Sequence, residues 1–347
     1  MKADKRMEKR FFYISILLLF VCVLTACSED KESTDVTDTA ASNDTAVDVN
    51  VGLIMGPPSM GLGYLMSEAE KGNTKNNFSF DVAGVDYTKV VASLNQADYD
   101  IATLPSNVAA IAYNNKHMKE QVKVISIGNL GLLYVLTTDP TISTFDDLKG
   151  RTVYSIGEGG PPEYTFNYVL EQAGMKDDVN FSFRATPFEV LNLLQEEENA
   201  VALLPQPFVE VAKLLVPNLR VAIDITETWD EVNADTKAQS VTTVTVVRTE
   251  FLEQNEQAVL EYLDLAKQST EYVLANLDEA AAWTEKYETF LNPEIAKEAI
   301  PKSSIHTITG KEMKSILSGF LQIIYDSNPE AVGGKMPADD FYYIPEQ

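Results

Sequence analysis

The side chains that most often carry out catalysis or bind metals are scarce in this sequence of 347 residues. It contains two cysteines, Cys22 and Cys27, and two histidines, His117 and His306, which lie far apart along the chain. Two cysteines cannot form a disulfide framework, and two separated histidines cannot supply a local metal cluster. The sequence therefore predicts no metal site.

Sequence motifs of common enzyme classes are also missing. Gly56 to Gly61 has the spacing of a phosphate-binding loop, but Leu62-Gly63 follows where Lys-Ser/Thr would be required. There is no G-x-S-x-G elbow and no H-E-x-x-H. Acidic pairs such as Asp339-Asp340 are typical of a solvated surface in a chain with 52 Asp+Glu. We predict no catalytic residue and no cofactor.

Polar, aromatic and glycine residues instead follow the predicted strands, where they could bind a ligand. In open α/β sheets, ligands bind outside the carboxyl ends of the strands, beside helix N-termini with free N–H groups. Paired glycines before a helix also let the backbone approach a ligand closely. A turn or a helix cap is the alternative explanation for each position. The candidate ligand-binding residues are Ser59, Met60, Asp86, Tyr87, Ser106, Asn107, Asn129, Glu158, Gly159, Gly160, Glu163, Tyr164, Gln206 and Phe208.

Strands and helices that alternate along the chain would position these residues. In the first series, apolar runs predict strands over 49–54, 78–82, 100–104 and 122–127, and helices over 60–71, 87–95 and from 106 toward 115. A second series predicts strands over 151–156, 180–183, 200–204 and 219–223, and helices over 163–173, 187–195 and 208–215. Two further strands, at 132–137 and 241–248, would cross between the series, and 250–325 is predicted to be helical.

This order predicts an α/β protein with two lobes, each a mainly parallel sheet flanked by helices, joined by two crossing strands. The predicted bounds are 48–135 plus 245–347 for lobe 1 and 136–244 for lobe 2. The two series also share a turn, because Leu104-Pro105-Ser106-Asn107 corresponds to Leu204-Pro205-Gln206-Pro207.

The N-terminus is typical of an export signal. Five basic residues within 1–10 precede an apolar run over 11–26, which is short for a bilayer span. The run ends in Leu24-Thr25-Ala26-Cys27, which looks like a bacterial lipobox. We predict a signal peptide over 1–26 and a lipid anchor, with palmitate-type acyl chains, on Cys27. An uncleaved membrane anchor is the alternative, and either places the remaining chain outside the cytoplasmic membrane.

The segment 27–47 is acidic and rich in Ser and Thr. It has too few large apolar side chains to offset the entropy of ordering, so it predicts a flexible tether. The whole chain has a formal net charge of −25. A field of this sign repels nucleic acid, so we predict no nucleic-acid partner.

Four stretches in this order carry a resemblance to a known family: Asp146 to Gly150, Gly157 to Tyr164, Leu203 to Phe208, and Gly333 to Tyr342. With the lipobox and the two lobes, the chain from Asp48 onward resembles the lipid-anchored solute-binding proteins of ABC importers. Within them it is most similar to the group that binds nitrate, sulfonates, taurine and thiamin-pyrimidine precursors. The resemblance implies a type II periplasmic-binding-protein fold, no catalysis, a monomer, a small-molecule ligand, and a permease with its ATPase as partners.

The composition of the candidate loops favours one class of ligand. Beyond the signal peptide the chain has only four arginines, and Arg184 is the one predicted to lie at a strand end near the ligand. The loops instead combine aromatic rings with amides and carboxylates, which suits a planar nitrogen heterocycle such as a thiamin pyrimidine precursor. A sulfonate, taurine or nitrate site is the alternative, and an enzyme of pyrimidine synthesis on the same fold is the second.

Overall fold

Two mixed β-sheets, each flanked by helices, make up the computed structural model, which describes residues 45–118, 121–236, 238–290 and 292–345. Residues 45–347 form one compact unit. The predicted signal peptide, Cys27 and the tether as far as residue 44 lie outside the described residues. In the described ranges, no helix is both long and apolar enough to cross a membrane.

Eleven strands and thirteen α-helices are observed in the described residues. The strands are β1 Asp48–Leu53, β2 Asn77–Val82, β3 Ile101–Pro105, β4 Val122–Asn129, β5 Leu133–Thr137, β6 Thr152–Ser155, β7 Asn180–Phe183, β8 Val201–Pro205, β9 Arg220–Asp224, β10 Thr243–Arg248 and β11 Ile305–Ile308. The helices are α1 Pro57–Met60, α2 Gly63–Glu70, α3 Tyr87–Asn95, α4 Ser106–Asn114, α5 Pro161–Gln172, α6 Pro187–Glu196, α7 Phe208–Leu215, α8 Ile225–Val232, α9 Thr249–Gln254, α10 Glu256–Ala275, α11 Leu277–Lys286, α12 Pro293–Ala299 and α13 Gly310–Ser327.

The first sheet has the order β11-β4-β10-β3-β1-β2, and we call it and its helices lobe 1. Strands β1, β2 and β3 are parallel, whereas β10 runs antiparallel between β3 and β4. Every residue of β10 is buried, which explains its continuous β-branched sequence. The second sheet, in lobe 2, has the order β7-β6-β8-β5-β9, with β5 antiparallel to both neighbours. The predicted α/β fold class is confirmed.

The chain passes between the lobes twice. It leaves the first sheet after Asn129 and enters the second at Leu133, and it returns to the first sheet at Thr243. Both passages therefore lie beside the carboxyl end of β4 and the amino end of β10. The residue bounds given above for the lobes stay a prediction.

Three local differences from the predicted elements involve tertiary contacts or helix capping. The helix expected over 60–71 is interrupted after Met60, and Gly61 at the break packs so closely that a Cβ there would lie 2.5 Å from Ile305 Cγ2. That close contact comes from β11, a strand in a stretch that was predicted to be helical. Helix α8 was not predicted, and the Asp224 carboxylate caps it by accepting from Thr226 N at 2.8 Å.

The lobes share part of their apolar core. Trp229 of α8 is fully buried, and its ring centroid lies 5.6 Å from that of Phe320 in α13 and 4.8 Å from that of Tyr168 in α5. The indole N–H donates to Ala238 O at 2.7 Å. Helix α13, which belongs to lobe 1 by sequence, thus packs against helices of lobe 2.

Candidate ligand-binding site between the lobes

The turns that follow β3 and β6 meet across the two lobes. Asn107 Nδ2, in the first turn of α4, donates to Gly159 O at 3.0 Å, and Gly159 lies in the turn before α5. The same Nδ2 donates to Ala331 O at 3.2 Å. The carboxyl ends of strands from both sheets therefore face one another, as the sequence predicts for a ligand site between lobes.

The Asn107 side chain is completely buried, yet its Oδ1 has no hydrogen-bond partner in the described residues. The amide orientation is fixed, because only the NH₂ group can donate to the carbonyl oxygens of Gly159 and Ala331. A buried acceptor without a donor costs about 1 to 3 kcal/mol. Asn107 Oδ1 is therefore a candidate acceptor for a donor group of a ligand or a water.

Gln206 repeats this arrangement in lobe 2, at the matching turn after β8. Its side chain is 2% exposed, its Nε2 donates to Glu210 Oε1 at 3.1 Å, and its Oε1 has no partner in the described residues. Five buried side-chain polar atoms in the described part of the chain are unpartnered. Two of these five belong to the predicted ligand-binding set, one from each lobe.

Three other candidates use their polar atoms within the protein. Ser59 Oγ donates to Gly56 O at 3.0 Å, and Ser106 Oγ donates to Val241 O at 2.6 Å. Asn129 Nδ2 donates to Ser303 O at 3.0 Å while its Oδ1 accepts from Thr243 Oγ1 at 2.6 Å. The Ser59 contact is local to its turn, whereas the Ser106 contact joins the end of β3 to the passage before β10. A ligand role for the three residues stays a prediction.

Tyr87 of lobe 1 and Tyr164 of lobe 2 are half-buried and pack against the same apolar cluster. Burial raises the pKa of Tyr164, and the negative charge of Glu163 adds to the effect, so its hydroxyl is neutral at physiological pH. Glu163 Oε2 accepts from Gly159 N at 2.6 Å, which closes the glycine turn on itself. The two aromatic rings thus contact one cluster, and Tyr164 belongs to the helix that follows the turn Asn107 contacts.

The remaining candidates lie around this centre. Asp86 is exposed and caps α3, and its hydrogen bonds to the Thr88 side chain and backbone lower its pKa. Glu158 is exposed, Gly160 begins α5 as its N-cap, and Phe208 begins α7 half-buried, with its ring against exposed Phe188. Met60 is 1% exposed and packs in the apolar cluster of α11 and α12.

Sequence analysis missed four positions that line this region: Tyr134, Glu210, Lys302 and Ala331. Glu210 lies four residues after Gln206, so helical spacing could have indicated their contact. Lys302 Nζ reaches Glu210 Oε1 from lobe 1 at 3.1 Å, and Lys302 O accepts from Tyr134 Oη at 3.2 Å. Only the tertiary fold brings Lys302 and Ala331 to the site, so no local pattern predicts them.

The lobe 2 side of the region carries negative charge. Burial raises the pKa of Tyr134 to about 12, and the nearby carboxylates of Asp224, Glu210 and Glu227 add to the rise. No group of three or more His, Cys, Asp or Glu in the described ranges could hold a metal ion. Asp224 and Glu227 thus add negative charge near Tyr134, whereas Lys213 and Lys302 pair with the Glu210 carboxylate.

Each of the four arginines beyond residue 26 has partners within the protein. Arg184 donates to Ser182 Oγ and Phe183 O, and its guanidinium lies 4.8 Å from the centre of the Tyr154 ring. Arg151 pairs with Asp139 and Arg248 with Asp100, at 2.6 and 2.7 Å, and Arg220 donates to the backbone oxygens of Asp139 and Ile142. Arg184 is thus held on its own lobe.

Comparisons with known proteins bear on this geometry. A sequence family described as NMT1/THI5 like matches residues 82–280, which is more than half of the chain. No curated protein matches the chain.

Solved structures with the same fold include several transport components. A crystal structure described as an ABC transporter from Parabacteroides distasonis is 24% identical, with a TM-score of 0.68 over 87% of this chain and 99% of that one. The periplasmic aliphatic sulphonate binding protein SsuA from Escherichia coli is 16% identical, with a TM-score of 0.68 over 86% and 93%. A ligand-binding component of an ABC-type import system from Staphylococcus aureus, with zinc bound, is 16% identical, with a TM-score of 0.62 over 86% and 96%. These likenesses confirm the predicted two-lobe fold.

Proposed function

The chain belongs to the NMT1/THI5-like family, and from that premise we propose that it is the solute-binding component of an ABC importer, a binding protein and not an enzyme. It takes a small molecule between its two lobes and delivers it to a membrane permease with its ATPase. According to the predicted export signal, the protein binds its ligand outside the cytoplasmic membrane, where it is held as a lipid-anchored monomer.

The observation that carries the proposal is the pair of buried amide oxygens, Asn107 Oδ1 and Gln206 Oε1. They occupy matching turns after β3 and β8, one in each lobe. A ligand with N–H or O–H groups at two edges would satisfy both acceptors at once. Since that ligand contacts both lobes, it would favour the arrangement in which they are together.

The ligand we propose is a planar nitrogen heterocycle with donor groups, such as an aminopyrimidine of the thiamin-precursor type. Amide acceptors and the carboxylates near Tyr134 favour N–H donors, and Tyr87 and Tyr164 offer aromatic faces. A sulfonate, as named for two structural neighbours, carries acceptors only. It would find two amide oxygens facing it and no free guanidinium from Arg184.

Calorimetry with the purified protein tests this proposal. We expect binding of the aminopyrimidine with a Kd in the micromolar range or tighter, which is about −8 kcal/mol or better. An alkanesulfonate and nitrate serve as matched anionic ligands, and we expect no heat from them. Micromolar binding of an alkanesulfonate, with none of any heterocycle, would overturn the assignment of ligand class.

Small-angle scattering tests the proposed movement. Asn107 Oδ1 and Gln206 Oε1 are both covered by protein, so a ligand reaches them only if the lobes separate. We expect a smaller radius of gyration with saturating ligand than without it, because bound ligand stabilises the closed state. An unchanged radius at saturation, together with an unliganded curve that does not match the closed arrangement of the two lobes, would contradict a closing mechanism.

A further inference from the structure

The Glu210 carboxylate collects three hydrogen-bond donors from two lobes. Its Oε1 accepts from Gln206 Nε2, from Lys213 Nζ and from Lys302 Nζ, each at 3.1 Å. Gln206 and Lys213 belong to lobe 2, whereas Lys302 precedes β11 of lobe 1. Glu210 itself is not one of the unpartnered groups, because its Oε1 already accepts from these three donors.

The charge state of this carboxylate is fixed by its neighbours. Burial opposes ionisation of Glu210, but the donors Gln206, Lys213 and Lys302 outweigh that effect and lower its pKa. An ionised carboxylate can accept hydrogen bonds but cannot donate them. Only the NH₂ end of the Gln206 amide can therefore face Glu210.

This constraint matters because a glutamine amide is ambiguous. Its two ends have nearly the same shape, and a turn about the last side-chain bond exchanges an acceptor for two donors. Asn107 has the same ambiguity, but the backbone oxygens of Gly159 and Ala331 resolve it. For Gln206 the contact that resolves it is a single side chain, which a substitution can change.

We propose that Glu210 is a positioning residue that sets the specificity of the site, by holding the Gln206 amide so that its oxygen faces the ligand. The proposal rests on the function proposed above and adds the element that selects donor-bearing ligands. With the Glu210 carboxylate in place, a ligand edge that carries N–H is accepted and an edge that carries C=O is refused. Lys302 of lobe 1 also donates to Glu210 Oε1, so the position of this carboxylate depends on both lobes.

Glu210→Met tests the proposal, because it keeps the length of the side chain and removes the oxygen that accepts from Gln206 Nε2. The probes are an aminopyrimidine and the matching pyrimidinone, in which a C=O replaces the C–NH₂. We expect the wild-type protein to prefer the amine by about tenfold or more, the value of one well-placed hydrogen bond. In Glu210→Met the Gln206 amide is free to turn its oxygen toward Lys213 and Lys302, and this preference should fall to about twofold or less, mainly through tighter binding of the pyrimidinone.

Lys213→Met is the matched control. It removes one donor to the same oxygen from within lobe 2 but leaves the carboxylate, so the preference should remain as in the wild type. A purely structural role for Glu210 would weaken both probes equally and leave their ratio unchanged, and that result would overturn the proposal. Where Glu210→Met does not fold, Gln206→Leu keeps the proposal falsifiable, because a preference that survives removal of the amide would overturn it.

The test separates this inference from the function it rests on. A wild-type protein that binds neither pyrimidine would contradict the proposed function. A wild-type protein that prefers the amine, and a Glu210→Met variant that keeps the full preference, would contradict only the role of Glu210.

Discussion

Replacing Asn107 with Leu should weaken ligand binding by about 10- to 150-fold. The substitution keeps the branched shape and the number of heavy atoms of the side chain but removes the buried acceptor Oδ1 and the donor that reaches Gly159 of lobe 2. One buried hydrogen bond to the ligand and one between lobes correspond to about 1.4 to 3 kcal/mol in total. Calorimetry on the wild type and Asn107→Leu measures the change directly.

Asn114→Leu is the control for this variant, because Asn114 lies seven residues later on the same helix and makes the same kind of contact. Its Nδ2 donates to Val332 O and Lys335 O, both at 2.7 Å, and its Oδ1 is also buried without a partner. Both variants should lose similar stability in thermal melts, and only Asn107→Leu should lose affinity. Equal losses of affinity would show that Asn107 acts through the packing of α4 and not through the ligand.

Replacing Cys27 with Ala should abolish lipid attachment completely. The predicted lipobox makes the Cys27 thiol the acceptor of the lipid, and without acyl chains nothing in the predicted tether binds a membrane. We expect no incorporation of labelled palmitate, accumulation of the unprocessed precursor, and loss of the mature membrane-bound form. Metabolic labelling followed by separation of membrane and soluble fractions measures all three.

Cys22→Ala provides the comparison for that experiment. Cys22 lies within the apolar run of the predicted signal peptide, five residues before Cys27, and leaves with it on cleavage. Its replacement should leave labelling and processing unchanged. Labelling of Cys27→Ala at the wild-type level would disprove the anchor, and loss of labelling in Cys22→Ala would show that the signal was misread.

Most of the fold follows from local sequence. Apolar runs of the right length, bounded by Gly and Pro, predict β2, α3, β7 and α7 to within a residue or so of the observed ends. The predictions fail where tertiary contacts decide. Strand β11 is short and forms because it pairs with β4, and Ile305 of that strand packs against Gly61 at the break between α1 and α2.

The position of the site could be predicted from the sequence, but which of its polar atoms lack a hydrogen-bond partner could not. The repeated turn, with Pro105 and Pro205 at its centre, indicates where Asn107 and Gln206 lie. Whether an amide oxygen is free depends on partners far along the chain. Asn129 is satisfied by Ser303 and Thr243, more than 100 residues away, whereas Asn107 Oδ1 is not satisfied. Sequence spacing cannot distinguish these two outcomes.

The aromatic contact between Trp229 and Phe320 has a consequence for how the protein moves and melts. A fully buried indole at the junction of α8 and α13 cannot be drawn out into water without a large loss of apolar burial. We therefore expect the strand ends to separate by rotation about this contact, with Trp229 as a pivot that stays buried. We also expect the two lobes to unfold together, because unfolding of either one would expose the apolar residues of the other that pack against Trp229.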